Sequence, residues 1–321
     1  MSVISQKYIK VVYPSTNPLL LYQGIKRLGG GIINYFRNKH ITQIINRVIS
    51  VAKPSGKVYF IPTPDQEFNN KEQPITFMSA NLWHDWPRKR GLKSRLSCLV
   101  EIIEKEKVDI LLLQELSRTS EFHVDQWLSD RLGMAYIYSR TNGNATEIDF
   151  EEGLAIFSRF PIKNHRLAQL SDQSIPFSRR MALGTRVESS LGDFDVYSVH
   201  LGLSGRQNKK QFFRLREWVD RNSKFTPAVI GGDFNAGEHS PQVREASEFW
   251  NDSYRSKNPN RKEYSHELRW PWGGVINRSR IDYLFMRQGK NSWKIESARH
   301  ISTENCPLSD HRPVIVRASL N

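Results

Sequence analysis

Between Gly153 and Val199 three apolar segments of strand length follow one another, Gly153–Phe157, Met181–Val187 and Phe194–Val199, with no helical pattern between them. A purely parallel, doubly wound sheet needs a crossover of a dozen or more residues between neighbouring strands, usually a helix. The run therefore argues against that architecture. On either side of it the pattern does alternate. Ile75-Thr76-Phe77-Met78 reads as a strand ending at Ser79-Ala80-Asn81, Leu92, Leu96, Leu99, Val100 and Ile103 form one helical face, and Asp109–Leu113 is a second apolar strand ending at Gln114-Glu115. A helix carrying Phe212, Leu215 and Val219 leads to the apolar run Ala228-Val229-Ile230, and the last strands are Ile281–Met286 and Pro313–Arg317. The expectation is an α/β fold in which two mixed sheets form a sandwich with helices outside.

The first 73 residues read differently. They hold ten Lys/Arg against three Asp/Glu, a net of +7, and the remaining residues hold 37 against 30, again +7. The first quarter is therefore the more basic per residue. Leu19–Leu21, Gly29-Gly30-Gly31 and the stripe Ile41, Ile44, Ile45, Val48 and Ile49 suggest one or two helices joined by flexible chain. Lys39, Arg47 and Lys53 surround the stripe, so this helix can lie on an anionic membrane or on nucleic acid, or pack on the protein's own body. Pro62–Asn70 looks like a linker, which places a domain boundary near Glu72: residues 1–73 form a basic extension and residues 74–321 the main domain.

The net charge of +14 favours anionic partners, nucleic acid or an acidic membrane surface. No window is apolar for long enough to span a bilayer, and the amino terminus lacks the order of a secretory signal, so the cytoplasm is the expected location. Two cysteines, Cys98 and Cys306, exclude a disulfide framework and make a thiolate zinc site improbable. Any metal is expected to be hard and oxygen-bound.

The candidate chemistry stands at strand ends. Asn81, Glu115, His200, Asp233, Asn235, Asp282 and the pair Asp310-His311 each occupy such a position, where loops gather into a crevice. In Gly231-Gly232-Asp233-Phe234-Asn235-Ala236, residues two apart project to one side, so Asp233 and Asn235 leave the strand together while Phe234 faces the interior. Taken singly, each has a bland reading: a glycine turn, a strand-ending carboxylate, a core histidine, an Asp282 paired with Arg280. Together they make up the residue types of metal-assisted phosphoester hydrolysis. Glu115, Asp310 and the Asn81 carboxamide offer hard oxygen ligands of the kind Mg²⁺ prefers. Asp233 with Asn235 can orient a water, His200 and His311 can meet developing negative charge, Asp282 can orient His311, and Arg180 can add a fixed positive charge.

The blocks Ser79-Ala80-Asn81-Leu82-Trp83, Leu113-Gln114-Glu115, Gly153–Arg159, Val199-His200-Leu201, Gly232-Asp233-Phe234-Asn235, Ile281-Asp282-Tyr283 and Ser309–Val314 occur in an order that resembles the endonuclease/exonuclease/phosphatase superfamily. The Gln-Glu, Gly-Asp-Xaa-Asn and Ser-Asp-His blocks carry most of the specificity. The resemblance runs from about Ile75 to the carboxyl end and implies a four-layered α/β sandwich, Mg²⁺ or Mn²⁺, and hydrolysis of phosphoesters or phosphodiesters. It implies Asn81, Glu115 and Asp310 at the metal, His200 at the phosphate, Asp233 and Asn235 at the nucleophilic water, and Asp282 supporting His311. Trp83 replaces the acidic residue that apurinic endonucleases tend to carry there, and the stretch from His200 to Gln211 looks more like uncharacterised bacterial members.

Two loops bear on the substrate. Trp83–Arg95 mixes Trp86 with Arg88, Lys89, Arg90, Lys93 and Arg95, which suits a nucleic-acid backbone or another polyanion, or a solvated loop entering a helix. Trp270-Pro271-Trp272-Gly273-Gly274 can form an aromatic rim for bases or a lipid headgroup, or anchor a loop on the body. Nucleic acid is the expected substrate, with a phospholipid or inositol phosphate at a membrane as the alternative and a silent polyanion binder as a third reading.

Overall fold

The computed structural model describes residues 55–62, 74–172, 179–190, 192–270 and 272–321. The amphipathic stripe at 41–49 and most of the expected linker lie outside the described residues. In chain order the strands are Tyr59–Ile61 (β1), Ile75–Asn81 (β2), Ile110–Arg118 (β3), Ala135–Asn144 (β4), Phe150–Ser158 (β5), Ile162–Gln169 (β6), Met181–Ser189 (β7) and Gly192–His200 (β8). They continue with Ala228–Asp233 (β9), Asn251–Asp252 (β10), His266–Arg269 (β11), Val275–Ser279 (β12), Asp282–Arg287 (β13), Trp293–His300 (β14) and Val314–Leu320 (β15). The longer helices are Leu92–Glu106 (α1), Val124–Leu132 (α2), Gly205–Asn222 (α3) and Pro241–Phe249 (α4).

One sheet has the order β1-β4-β5-β3-β2-β15-β14 and the other β10-β13-β9-β8-β7-β6, while β11 and β12 form a separate two-stranded ribbon. Both large sheets are mixed: β2 runs parallel to β3 and β8 parallel to β9, and the other pairs are antiparallel. The alternation of side chains along a strand explains the layering. Phe77, Ile110, Leu112, Leu183 and Val229 point between the sheets, where they share one core. Met78, Leu111 and Leu113 point outward against Leu96, Leu99 and Ile103 of α1. Ala228 and Ile230 point outward on the other side, against Phe212, Leu215 and Val219 of α3. The molecule is thus a four-layered α/β sandwich, helix, sheet, sheet, helix, and the central strands are apolar on both faces because both faces are covered.

Two sequence expectations change. Residues 55–62 precede the boundary drawn near Glu72, yet β1 pairs with β4 at the edge of the first sheet, Val58 is buried in the core, and the Arg118 guanidinium sits over the rings of Tyr59 and Tyr138. The folded domain therefore begins before that boundary. The two cysteines, read as excluding a disulfide framework, form one disulfide, Cys98–Cys306, with Cα atoms 5.8 Å apart. Their separation of 208 residues hid the contact, since only the packing of α1 against the β14–β15 loop brings them together.

The two strands that matter most for the site meet at Gly232. It pairs with Val199 of β8, and a Cβ there would lie 1.9 Å from the Val199 carbonyl oxygen, at a backbone φ of 153° that side-chain-bearing residues rarely adopt. Gly232→Ala is expected to lower unfolding stability by about 3 kcal/mol, read from urea denaturation. A loss no larger than that of Gly237→Ala, where a Cβ meets nothing within 4 Å, would show that β8 and β9 are not held this closely.

Candidate active site

Strand register alone assembles half of the site. His200 pairs with Asp233 and Asp233 with Asp282, so the ends of β8, β9 and β13 present three polar side chains in a row on one sheet. The facing sheet contributes Asn81 at the end of β2, Glu115 on β3, and Asp310-His311 just before β15. Glu115 reaches the cleft because β3 bulges between Leu113 and Leu116, with Glu115 at a φ of 53°. The bulge breaks strict alternation and re-aims a side chain that a regular strand would place elsewhere. Beneath it, buried Gln114 donates from Nε2 to Ser198 Oγ at 3.1 Å, tying β3 to β8 across the sandwich.

The two sheets meet at Asp233. Its Oδ2 accepts from Asn81 Nδ2 at 3.1 Å and has His200 Nε2 at 3.5 Å and His311 Nε2 at 4.0 Å, while Oδ1 accepts from the Asn235 backbone N–H at 2.8 Å. Burial first, then the neighbouring Asp282 charge, raise the Asp233 carboxyl to about 7, with His311 pulling the other way. Burial, then Arg180 and the other histidines, push His200 well below the ordinary histidine value, so it is a neutral imidazole. Burial opposes charge on His311 too, but Asp282 Oδ2, 2.8 Å from Nδ1, outweighs it and lifts that imidazole to about 10. Ser265 completes the support by donating from Oγ to Asp282 Oδ2 at 2.6 Å.

The structure places the other expected residues as follows. Asn81 was expected to offer its carboxamide oxygen to a metal. In the structure Oδ1 accepts from the Trp83 backbone N–H at 3.0 Å, and Nδ2 donates to Glu115 Oε1 at 3.0 Å and to Asp233. Asn235 was expected to project beside Asp233. It leaves the strand at a φ of 48° and donates from Nδ2 to the Leu201 carbonyl at 2.9 Å, so its backbone rather than its side chain holds Asp233. Arg180 lies close enough to act on both His200 and Glu152. Trp86, 47% exposed, stacks on Phe150 at 5.3 Å, and Arg88 is exposed beside it on the rim.

Sequence reasoning missed His84, Glu152, Ser265 and His266. His84 Nε2 lies 3.5 Å from Glu115 and 3.3 Å from Glu152, and Asn142 donates to Glu152 at 2.6 Å. His84 and Glu152 adjoin motif blocks and could have been taken from them. Ser265 and His266 lie in a stretch with no local signal, and their place depends on the ribbon's docking against His311, whose ring is 4.6 Å from that of His266.

Three groups of potential ligands lie on the cleft: His84 with Glu115 and Glu152, His266 with Asp310 and His311, and Asp233 with Asp282 and His311. Glu115 and Asp310 thus sit in different groups, yet they sense one another. Although Asp310 as a residue is exposed, burial of its carboxyl raises it, His311 lowers it and the Glu115 charge raises it, with a net upward result. Carboxylates that face one another across a cleft fit a hard divalent cation, which relieves their repulsion.

Removing the Asp282 charge should release His311. In the metal-free protein, Asp282→Asn is expected to lower the His311 pKa by about 1 to 3 pH units, followed by NMR of the imidazole protons. An unchanged pKa would assign the elevation to another group.

The model of the Endonuclease/Exonuclease/phosphatase family matches residues 78–311. The uncharacterized protein YbhP of Escherichia coli strain K12 is 27% identical over 148 residues, covering 46% of this chain and 55% of YbhP, so the chain spans about half the length of the curated relatives it matches. Two solved structures share the fold. An endonuclease/exonuclease/phosphatase from Bacteroides vulgatus is 16% identical, with a TM-score of 0.63 over 77% of this chain and 99% of its own. The human Nocturnin catalytic domain, solved with a bound sulfate anion, is 20% identical, with a TM-score of 0.63 over 84% of this chain and 99% of its own. With the match running from within β2 to His311 and containing every strand-end residue described above, the chain belongs to the Endonuclease/Exonuclease/phosphatase family.

Proposed function

We propose that the chain is a divalent-metal-dependent hydrolase of phosphodiester bonds. The observation that carries this reading is the surroundings of Asp233 Oδ2: one buried carboxylate oxygen with an amide donor, a neutral histidine and a protonated histidine around it. A carboxyl raised to about 7 is basic enough to take a proton from water and acidic enough to be free at neutral pH. Asn81 Nδ2 donates to one of its oxygens and the Asn235 N–H to the other, so the carboxylate is held in one orientation. The water oxygen then attacks phosphorus as the bond to the ester oxygen breaks, and the departing alkoxide takes a proton from solvent while Asp233 returns its own, yielding a phosphomonoester and an alcohol. His311, held cationic by Asp282, and His200, a neutral donor, meet the charge that develops on the phosphoryl oxygens. Mg²⁺ or Mn²⁺ on Glu115 and Asp310 would supply a Lewis acid for the phosphoryl group.

The charge of +14 supports nucleic acid as substrate. A second reading, a phospholipid phosphodiester, is favoured by what the Trp86 loop does with its cations. Lys89 pairs with Asp149, Arg90 with Asp85, and Arg95 donates to the Leu82 and Leu308 carbonyls, so three of the five cations counted for a nucleic-acid backbone are spent inside the protein. The disulfide Cys98–Cys306 also supports an oxidising compartment over the cytoplasm.

With Mg²⁺ present, hydrolysis of a bis-aryl phosphodiester is expected to fall by roughly 10²- to 10⁴-fold in Asp233→Asn and to stop with chelator. Chelator-insensitive turnover, or an unimpaired variant, would sink the mechanism. Parallel assays on plasmid, RNA and phospholipid decide the substrate class.

A further inference from the structure

The ribbon β11–β12 has no role in the chemistry above beyond its base. It pairs with neither large sheet, and β12 is exposed along nearly its whole length. At its outer end Trp270 and Trp272 stack on each other at 5.1 Å, with 48% and 79% of their surfaces exposed, and Leu268, Val275 and Ile276 are each more than 40% exposed. Ile276 has no cross-strand partner, because the register shifts at this point: Leu268 pairs with Asn277 and Arg269 with Val275. The exposed apolar side chains thus crowd an irregular tip at the end of the ribbon. A turn closed by Trp270 N–H to the Gly274 carbonyl and Gly273 N–H to the Trp270 carbonyl gives it a defined shape.

We propose that this ribbon is a tongue that enters the interfacial layer of an anionic phospholipid membrane and sets the active-site cleft against it. Three observations select that occupant. A protein partner or a second copy docks on a broad face, whereas here the exposed apolar residues crown the end of a projecting ribbon, which is buried most fully by a medium that surrounds it. Nucleic acid offers base faces for stacking, but the two tryptophans have each spent one ring face on the other, and Leu268, Val275 and Ile276 gain nothing from bases or phosphates. Tryptophan is the side chain that favours the boundary between headgroups and hydrocarbon. Charge is complementary as well. Arg269 and Arg278 flank one Glu267 on the stem, leaving one positive charge there, and Arg88 and Lys262 on loops and Arg206 in the first turn of α3, which form no ion pair with the described residues, follow the same ends of the strands.

The reach fits. His266, at the foot of the ribbon, contacts the His311 ring, and four residues of strand place Trp270 roughly 13 Å farther out. A tip buried about 5 to 10 Å into the boundary of the membrane would bring His311 within about a headgroup's length of the surface. The docking stands on the ribbon alone and not on the hydrolytic reading, because binding is measured without turnover.

The test is sedimentation of the full chain with vesicles of phosphatidylcholine and with equimolar phosphatidylcholine and phosphatidylglycerol, beside the double variant Trp270→Ser, Trp272→Ser. Its melting temperature is read first to show that the fold is retained. Wild type is expected to partition onto the anionic vesicles and more weakly onto phosphatidylcholine, and the variant to lose about tenfold or more of its anionic partition coefficient. Comparison within the full chain cancels any contribution from residues 1–73. Equal partition of the two proteins, or none by wild type, overturns the proposal. So does a tryptophan-dependent shift of a single-stranded oligonucleotide, or a dimer lost in the variant, when vesicle binding is unchanged.

Discussion

A carboxylate buried between two sheets is the constraint on which the site depends. Asp233 is almost fully enclosed, and an ionised group there costs stability unless donors and positive charge surround it. The surrounding groups come from both halves of the sandwich: His200 from the same sheet, Asn81 and His311 from the other. Burial is the larger influence, since the carboxyl remains raised even with a cationic imidazole nearby. That excess of desolvation over pairing gives Asp233 its basicity near neutral pH. A closer ion pair with His311 would lower the carboxyl and weaken it as a base.

The cation on His311 is maintained one layer farther out. Asp282 faces Nδ1 and leaves Nε2 directed at Asp233, and Ser265 bonds the Asp282 carboxylate from the ribbon's foot. The same register that pairs Asp282 with Asp233 fixes the separation between these two acids, so the imidazole is held between one carboxylate that orients it and another that it faces. Backbone pairing of β9 and β13 therefore sets an electrostatic arrangement. The Cys98–Cys306 bridge and the Arg95 bond to the Leu308 carbonyl secure the loop that delivers His311 from the other sheet.

The loops outside this frame divide their cations between structure and surface. Lys89, Arg90 and Arg95 are held by partners within the protein, whereas Arg88 stays exposed. A count of basic residues in a loop does not distinguish the two, because an arginine bonded to buried carbonyls and one open to solvent contribute equally to net charge. The ribbon presents the opposite case. Its tryptophans read equally well as a rim or as anchors, and their exposure in the fold favours the rim.

Much of the fold was legible in the chain itself. Three uninterrupted strand segments before β9 argued against a parallel sheet, and apolar runs such as Leu111-Leu112-Leu113 announced strands covered on both faces. Asp233, His200, Asp282, Asp310 and His311 were legible because each ends or adjoins an apolar run, where a polar side chain must find a cleft. Three features were settled by tertiary structure alone. The bulge at Glu115, the hydrogen bonds of the Asn81 amide and the backbone role of Asn235 depend on which group lies across the gap, and periodicity carries no information about that. The disulfide and Ser265 depend on contacts between segments far apart in sequence. Local pattern determines which face of a strand is buried; only packing determines which atom meets which.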